Sequence, residues 1–228
     1  MRTSVRPSAR KSVRTVPNAP VNTPTSTPTS TPTPVPEAVR RDAPREVRII
    51  GGQWKRSKLP VGDSPGLRPT PDRVRETLFN WLGSSLAGWR CLDAFTGSGA
   101  LGFEAASRGA AEVVLIERER RLAGALSTVK ERLKADALRV ENADALAWMA
   151  RCPAASFEVV FLDPPFDADL LAPALAAAAR LIAPTGLIYA ESAAPLGAET
   201  LHLLGLALHR QGRAGAVHFH LLRRADLA

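Results

Sequence analysis

A mostly parallel sheet with helices on both faces, an α/β fold, follows from two features of this 228-residue chain. From residue 91 onward, short apolar runs alternate with segments of helix length, the pattern of successive βαβ units. The first of those runs ends in a glycine-rich turn, a junction at which α/β sheets hold ligands.

The apolar runs fall at 91–95, 113–116, 138–140, 159–162 and 187–190, with helix-length segments at 99–108, 119–134, 144–151 and 168–182. The tail alternates at 206–210 and 216–222 like an antiparallel closing pair, which brings the strands to seven. His218 and His220 are two apart and so share one side of their strand, read as an exposed edge-strand face. Two histidines alone are not a metal ligand set, and no metal is expected.

Ahead of the alternation, Val47-Arg48-Ile49-Ile50 reads as a strand, Gly51-Gly52 as a turn, and Gln53 to Leu59 as a second strand. This β-hairpin carries Arg48, Lys55, Arg56 and Lys58 with one aromatic, Trp54. Thr70 reads as a helix N-cap with Pro71 at the first helical position. Val74, Leu78 and Leu82 recur every four residues, which predicts an amphipathic helix over 71–82.

An apolar content of 45% supports a real core. No stretch approaches the ~18 apolar residues of a membrane span, and the first residues lack the apolar centre of a secretory signal. Cys91 and Cys152 stand alone, which excludes a disulfide scaffold and a cysteine zinc site and points to the reducing cytoplasm.

Residues 1–36 hold eight Pro, eight Thr, five Ser, five basic residues and no acid. Such a segment cannot bury enough surface to offset its chain entropy, so disorder with polyproline character is expected. An organellar transit peptide and an early start codon are the other readings, but dense proline opposes the helix a transit peptide needs. The organisation is then a disordered basic tail over 1–45, a hairpin extension over 46–66 and an α/β domain over 67–228.

The net charge of +8 is uneven: residues 40–75 carry ten basic and four acidic side chains, and 76–228 carry fifteen and seventeen. A polyanionic partner met through an N-terminal element fits this distribution, as does simple solubility.

The first strand of the alternation runs into Asp93-Ala94-Phe95-Thr96-Gly97-Ser98-Gly99-Ala100-Leu101-Gly102. Glycines there let a ligand approach the backbone, and the next helix offers free N–H groups. Gly97, Gly99 and Gly102 satisfy G-x-G-x-x-G, and Glu117 closes the following strand, where an acid can bind ribose hydroxyls. A dinucleotide and S-adenosylmethionine both suit these elements, and so does a turn with no ligand. Asp93 disfavours a pyrophosphate and suits a sulfonium and an ammonium. Asp144, after the third strand, can accept from an adenine amino group or simply cap a helix.

Phe161-Leu162-Asp163-Pro164-Pro165-Phe166 ends the fourth strand. Two prolines stiffen the turn and remove two N–H donors. Their carbonyls and the Asp163 carboxylate make an acceptor-rich rim suited to an exocyclic amino group, and Phe166 offers a face for a flat base.

Asp163 to Phe166 in this position resembles the fourth motif of S-adenosylmethionine-dependent amino-group methyltransferases. With Arg48 to Lys55, Leu67 to Leu82, Leu92 to Ser107 and Ile188 to Glu191, the chain over about 46–225 resembles the RsmD family, bacterial 16S rRNA guanine-N2 methyltransferases. The resemblance implies a Rossmann-like methyltransferase fold, a seven-stranded sheet with an antiparallel C-terminal strand preceded by the hairpin. It implies Asp93, Gly97 and Gly99 around the methionine part of the cofactor, Glu117 on the ribose and Asp144 on the adenine. Asp163, Pro164, Pro165 and Phe166 would face the target guanine. Arg68, Thr70, Arg73 and Glu76 lie where the superfamily closes over the cofactor. Arg48, Lys55, Arg56, Lys58 and Arg68 would grip rRNA phosphates. The implied partner is 16S rRNA, free or in a 30S subunit or assembly intermediate, met by a cytoplasmic monomer.

Three other readings remain open. D-P-P-[FY] also serves adenine-N6 DNA methyltransferases, although no extra domain for reading DNA sequence is evident. A nicotinamide oxidoreductase leaves Asp93 and Asp163-Pro164-Pro165-Phe166 unexplained. A non-catalytic RNA-binding factor could retain the same fold.

Overall fold

The structure, a computed structural model, describes residues 46–62, 70–166 and 169–227. The Thr/Pro tail, Arg68 and the junction between hairpin extension and α/β domain lie outside those residues.

Two short antiparallel strands, β1 (Glu46–Arg48) and β2 (Lys58–Pro60), come first, followed by helix α1 (Asp72–Leu82). The alternation then reads β3 (Arg90–Asp93), α2 (Ala100–Ser107), β4 (Glu112–Glu117), α3 (Arg120–Leu133), β5 (Leu138–Asn142), α4 (Ala145–Arg151), β6 (Phe157–Leu162), α5 (Leu171–Leu181) and β7 (Ile182–Ser192). Helix α6 (Ala198–Leu203) and the pair β8 (Leu206–Ala214) and β9 (Val217–Arg224) complete it.

Strands covered on both faces need apolar side chains at every position. Cys91-Leu92 and Val113-Val114-Leu115-Ile116 meet that demand and are buried. They lie at the centre of a seven-stranded sheet of order β5-β4-β3-β6-β7-β9-β8. Strands β3 to β7 are parallel, and β9 runs antiparallel to β7 and β8. Alternate strand residues divide the core in two. Cys91, Val113, Leu115, Phe161 and Tyr189 pack with α1, α2, α3 and the hairpin residues Ile49 and Leu59. Leu92, Val114, Ile116, Val160 and Ile188 pack with α4, α5 and α6. The predicted fold class is therefore observed.

Four local expectations differ. The hairpin pairs Val47 with Leu59 and Arg48 with Lys58, so residues 49–57 form its connection, not the two glycines. Helix α2 claims that backbone: Ile50 N and Gly51 N donate to Glu104, and Gln53 N and Trp54 N donate to Ser107. Gly52 holds φ +73°, and a Cβ there would stand 1.8 Å from the Ser107 carbonyl oxygen, so this approach requires glycine. Lys55 and Arg56 consequently sit on the connection rather than on a second strand.

Pro71, not Thr70, is the N-cap of α1, and no side chain caps that helix. The Thr70 hydroxyl is turned elsewhere, as described below. Strand β7 starts at Ile182, directly after α5, where Ile182 pairs with Phe157. Helix α6 was not legible, because six residues are too few to show a helical period.

His218 and His220 do not form an exposed edge face. Strand β9 lies between β7 and β8, and β8 is the edge. His220 is buried, with Nε2 accepting from Leu196 N at 3.3 Å, and burial holds its ring below the usual histidine range.

Candidate active site

The chain lays β4 and β5 outward on one side of β3, then returns to place β6 on the other side. Loops leaving β3 and β6 thus part at the strand ends, where open α/β sheets form a ligand crevice. The glycine turn leaves β3, and Asp163 to Phe166 leaves β6.

Gly97 and Gly99 have φ of +52° and +79°, the left-handed region that favours glycine. Gly102 serves packing: a Cβ there would stand 2.1 Å from Leu115 Cδ2. Its N–H donates to Asp93 Oδ2 at 2.9 Å, which ties the end of β3 to the first turn of α2. Burial pushes the Asp93 carboxyl up to about 7; the Gly102 N–H opposes the rise and the Glu117 charge adds to it.

Glu117 braces the same turn. Its Oε2 accepts from Gly97 N at 3.0 Å and its Oε1 from Glu119 N at 2.7 Å. Each carboxylate oxygen keeps acceptor capacity beyond those bonds. Asp144 caps α4, with Oδ1 accepting from Ala147 N at 2.9 Å, and the side chain is exposed.

Leu162 of β6 pairs with Ala190 of β7, so Asp163 leaves the sheet beside Glu191. The Thr70 hydroxyl donates to Asp163 Oδ2 at 3.4 Å, and the Tyr189 hydroxyl donates to Glu191 Oε1 at 2.8 Å. Burial raises the Asp163 carboxyl well above its ordinary value, and the charges of Glu191 and Asp93 raise it further against the Thr70 hydrogen bond. Burial also raises Glu191, opposed by the Tyr189 and Thr70 hydroxyls. Among the described residues no lysine or arginine forms an ion pair with Asp93, Asp163 or Glu191. Three carboxylates gathered without a protein cation suit a positively charged ligand. At the rim Pro164 is buried, Pro165 is exposed and Phe166 is 48% exposed, an unusual exposure for a large aromatic.

The family model described as Conserved hypothetical protein 95 matches residues 47–223. Ribosomal RNA small subunit methyltransferase D of Escherichia coli (strain K12) is 46% identical over 181 residues, spanning 78% of this chain and 90% of that protein. Its Haemophilus influenzae namesake is 44% identical over 158 residues, spanning 66% and 81%. The chain belongs to the RsmD family.

Solved structures agree with that membership. The yhhF methyltransferase structure from Escherichia coli superposes with a TM-score of 0.68 at 41% identity, over 78% of this chain and 98% of that one. Precorrin-6y C5,15-methyltransferase from Geobacter metallireducens shares the fold, with a TM-score of 0.56 at 16% identity over 72% and 93%.

In this RsmD-family chain the hairpin carries its exposed cations alongside helix α2. Arg48, Lys55, Arg56 and Lys58 are exposed, and Lys58 pairs with Glu46 at 2.7 Å. The hairpin connection docks at Ser107, the C-terminal end of α2, whereas the chain leaving β2 reaches the glycine turn at its N-terminal end, where Pro60 and Gly62 line a small cavity with Gly97 and Ser98. An eight-residue helix separates these ends by about 12 Å. Arg73 and Glu76 are exposed on α1.

Two features escaped the reading of the sequence. Glu191 and Tyr189 belong to the carboxylate cluster; an acid closing an apolar strand parallel to the others was the available signal. Arg75 is fully buried, which its charge gave no reason to expect. It donates to the carbonyls of Thr70 and Arg48 and to Asp72, and its Nη1 lies 3.6 Å from buried Glu104. It therefore joins the hairpin, the residue facing Asp163 and the middle of α2.

Proposed function

We propose that this protein transfers a methyl group from S-adenosylmethionine to the exocyclic N2 of a guanine in 16S rRNA, within a 30S subunit or an assembly intermediate, as a cytoplasmic monomer. One observation carries the reading: Asp163-Pro164-Pro165-Phe166 leaves β6 directly across the switch point from the glycine turn of β3. Relatives named ribosomal RNA small subunit methyltransferase D support the substrate class. On this reading residues 46–66 are an RNA-binding extension of a methyltransferase domain over 67–228.

The cofactor supplies a methyl group on a sulfonium, activated enough for positioning to provide much of the rate. The Asp93 carboxylate, without a protein cation paired to it among the described residues, would face the methionine part and its positive groups. Gly97 and Gly99 keep the turn free of Cβ atoms. Glu117, already held by Gly97 N and Glu119 N, would accept from the ribose hydroxyls, and Asp144 from the adenine amino group through the oxygen its helix cap leaves over.

The guanine must leave its stack to enter the crevice. Phe166 would stack on it and offset part of that cost. Asp163 and the Pro164 carbonyl would accept from the two N2 protons and turn the nitrogen toward the methyl group. Transfer to N2 would leave one amino proton to be removed, and Asp163 or Glu191 would accept it. Arg48, Lys55, Arg56, Lys58 and Arg68 would hold the phosphates.

The test is methyl transfer from labelled S-adenosylmethionine to 30S subunits lacking the modification, followed by nucleoside digestion. N2-methylguanosine in 16S rRNA is expected. Label in N6-methyladenine of duplex DNA instead would replace the substrate.

A further inference from the structure

We infer that the edge pair β8–β9 is a second RNA-phosphate surface, guiding the strand that carries the target guanosine away from the crevice. The inference rests on the rRNA reading above.

Residues 201–225 hold four Arg, all four His of the chain and no acid, whereas residues 76–200 hold eleven basic and sixteen acidic side chains. The fold does not spread these cations evenly. Arg224 is partly buried and bound to the Ile182 carbonyl, and His220 is buried. His209, Arg210 and Arg213 are exposed on β8, the edge strand; His218 is half-buried opposite Arg213 on β9, and Arg210 lies opposite Leu221, three residues farther from the turn. Neither Arg210 nor Arg213 forms an ion pair among the described residues. Arg213 Nε donates to the Gly215 carbonyl at 2.9 Å, which holds this guanidinium at the β8–β9 turn.

Register places that turn at the catalytic edge of the sheet. Gly212 pairs with Phe219, Phe219 with Glu191, and Glu191 neighbours Asp163. Arg213 pairs with His218, and His218 with Ser192. Crossing from β6 to β8 takes three strand spacings, about 14 Å. At ~3.4 Å per stacked nucleotide, that is about four nucleotides from the target base.

The opposite half of the same edge is mixed in charge, with Glu117 and Asp144 near exposed Arg118, Arg120 and Arg121 at the ends of β4 and β5. On the β7 side of the crevice the exposed charges of β8 are all basic, which offers a departing RNA strand a favourable path. Charge on an edge strand also blocks pairing with other chains. Acidic side chains would serve that purpose equally well, and this segment has none.

The test is equilibrium binding of the full chain to 30S subunits lacking the modification, over a range of salt. The double variant R210E/R213E should bind at least tenfold more weakly near physiological salt. Its log–log salt slope should be shallower by about 1.4–1.8, the loss of two phosphate contacts. R210K/R213K should stay within threefold of the parent, and S-adenosylmethionine affinity should be unchanged in both. Parental affinity and slope in R210E/R213E would overturn the inference, as would equal weakening by the lysine and glutamate pairs. Methyl transfer by the parent, measured in parallel, decides the rRNA reading separately, since the binding arm stands without turnover.

Discussion

The Thr70 hydroxyl donates to Asp163 Oδ2 at 3.4 Å across 93 positions of sequence, while the Thr70 carbonyl accepts from buried Arg75. A threonine placed to cap a helix faces the crevice instead. Thr70→Val keeps the shape and removes the donor. A hydrogen bond to a charged group is worth about 1.5–3 kcal/mol, so kcat should fall about 10- to 150-fold. Thr70→Ser should recover most of it. Full activity in Thr70→Val, from steady-state methyl transfer, would remove Thr70 from the site.

Asp163→Ala should cut kcat by about 10²–10³, the scale of losing one oriented electrostatic contact in an active site. Calorimetry should find S-adenosylmethionine affinity within threefold of the parent, because Asp163 is proposed to face the base. Parental turnover would sink the role given to Asp163.

Phe166→Ala should raise KM for the 30S particle and leave the cofactor Kd alone. Stacking of a base on an aromatic side chain contributes about 1–3 kcal/mol, an increase of about 5- to 150-fold. Phe166→Tyr should behave as the parent. An unchanged KM in Phe166→Ala would argue that no base rests on this ring.

Asp93, the proposed partner of the cofactor's methionine part, should make cofactor binding depend on pH. Its carboxyl titrates at about 7 in the folded protein against 3.8 ordinarily, raised mainly by burial. A cationic ligand needs it ionised, so S-adenosylmethionine affinity should rise up to about pH 7 and then level. The folded chain keeps through this range a proton that the unfolded chain has lost. Asp93 therefore lowers stability of the free protein as pH climbs from about 4 to about 7. His220 acts in the opposite direction, since its buried ring resists protonation. Comparison with Asp93→Asn cancels that contribution. The stability of the parent relative to Asp93→Asn should decline between pH 5 and 7, and Asp93→Asn should show a flatter affinity profile. Identical profiles by calorimetry would refute the assignment.

Arg75→Met should destabilise strongly. It leaves Glu104 with one cation fewer, frees the Arg48 and Thr70 carbonyls, and detaches the hairpin from α1. Breaking a buried ion pair from one side costs about 3–5 kcal/mol. For a domain of this size each kcal/mol shifts Tm by about 2–4 °C, hence a fall of about 6–20 °C. A melting temperature within 2 °C of the parent would show that the buried guanidinium is dispensable.

The βαβ order, the glycine turn and the Asp163-Pro164-Pro165-Phe166 rim were legible in the order of residues alone. Each is local: an apolar run long enough for a buried strand, glycines that open positive φ, prolines that withhold donors. Leu92 and Ile116 read as interior because only strands covered on both faces need side chains of that kind. Which side chains would meet was not local. Glu191 joins Asp163 because β7 pairs with β6 in one register, and a shift of one residue would turn its side chain to the other face. The turn at 49–57 is long because Glu104 and Ser107, more than 50 residues away, take its N–H groups. Pairing on β9 removed His220 from the surface. Tertiary structure decided these points because a hydrogen-bond donor or a buried charge takes the best partner the fold supplies, and that partner is rarely its neighbour in sequence.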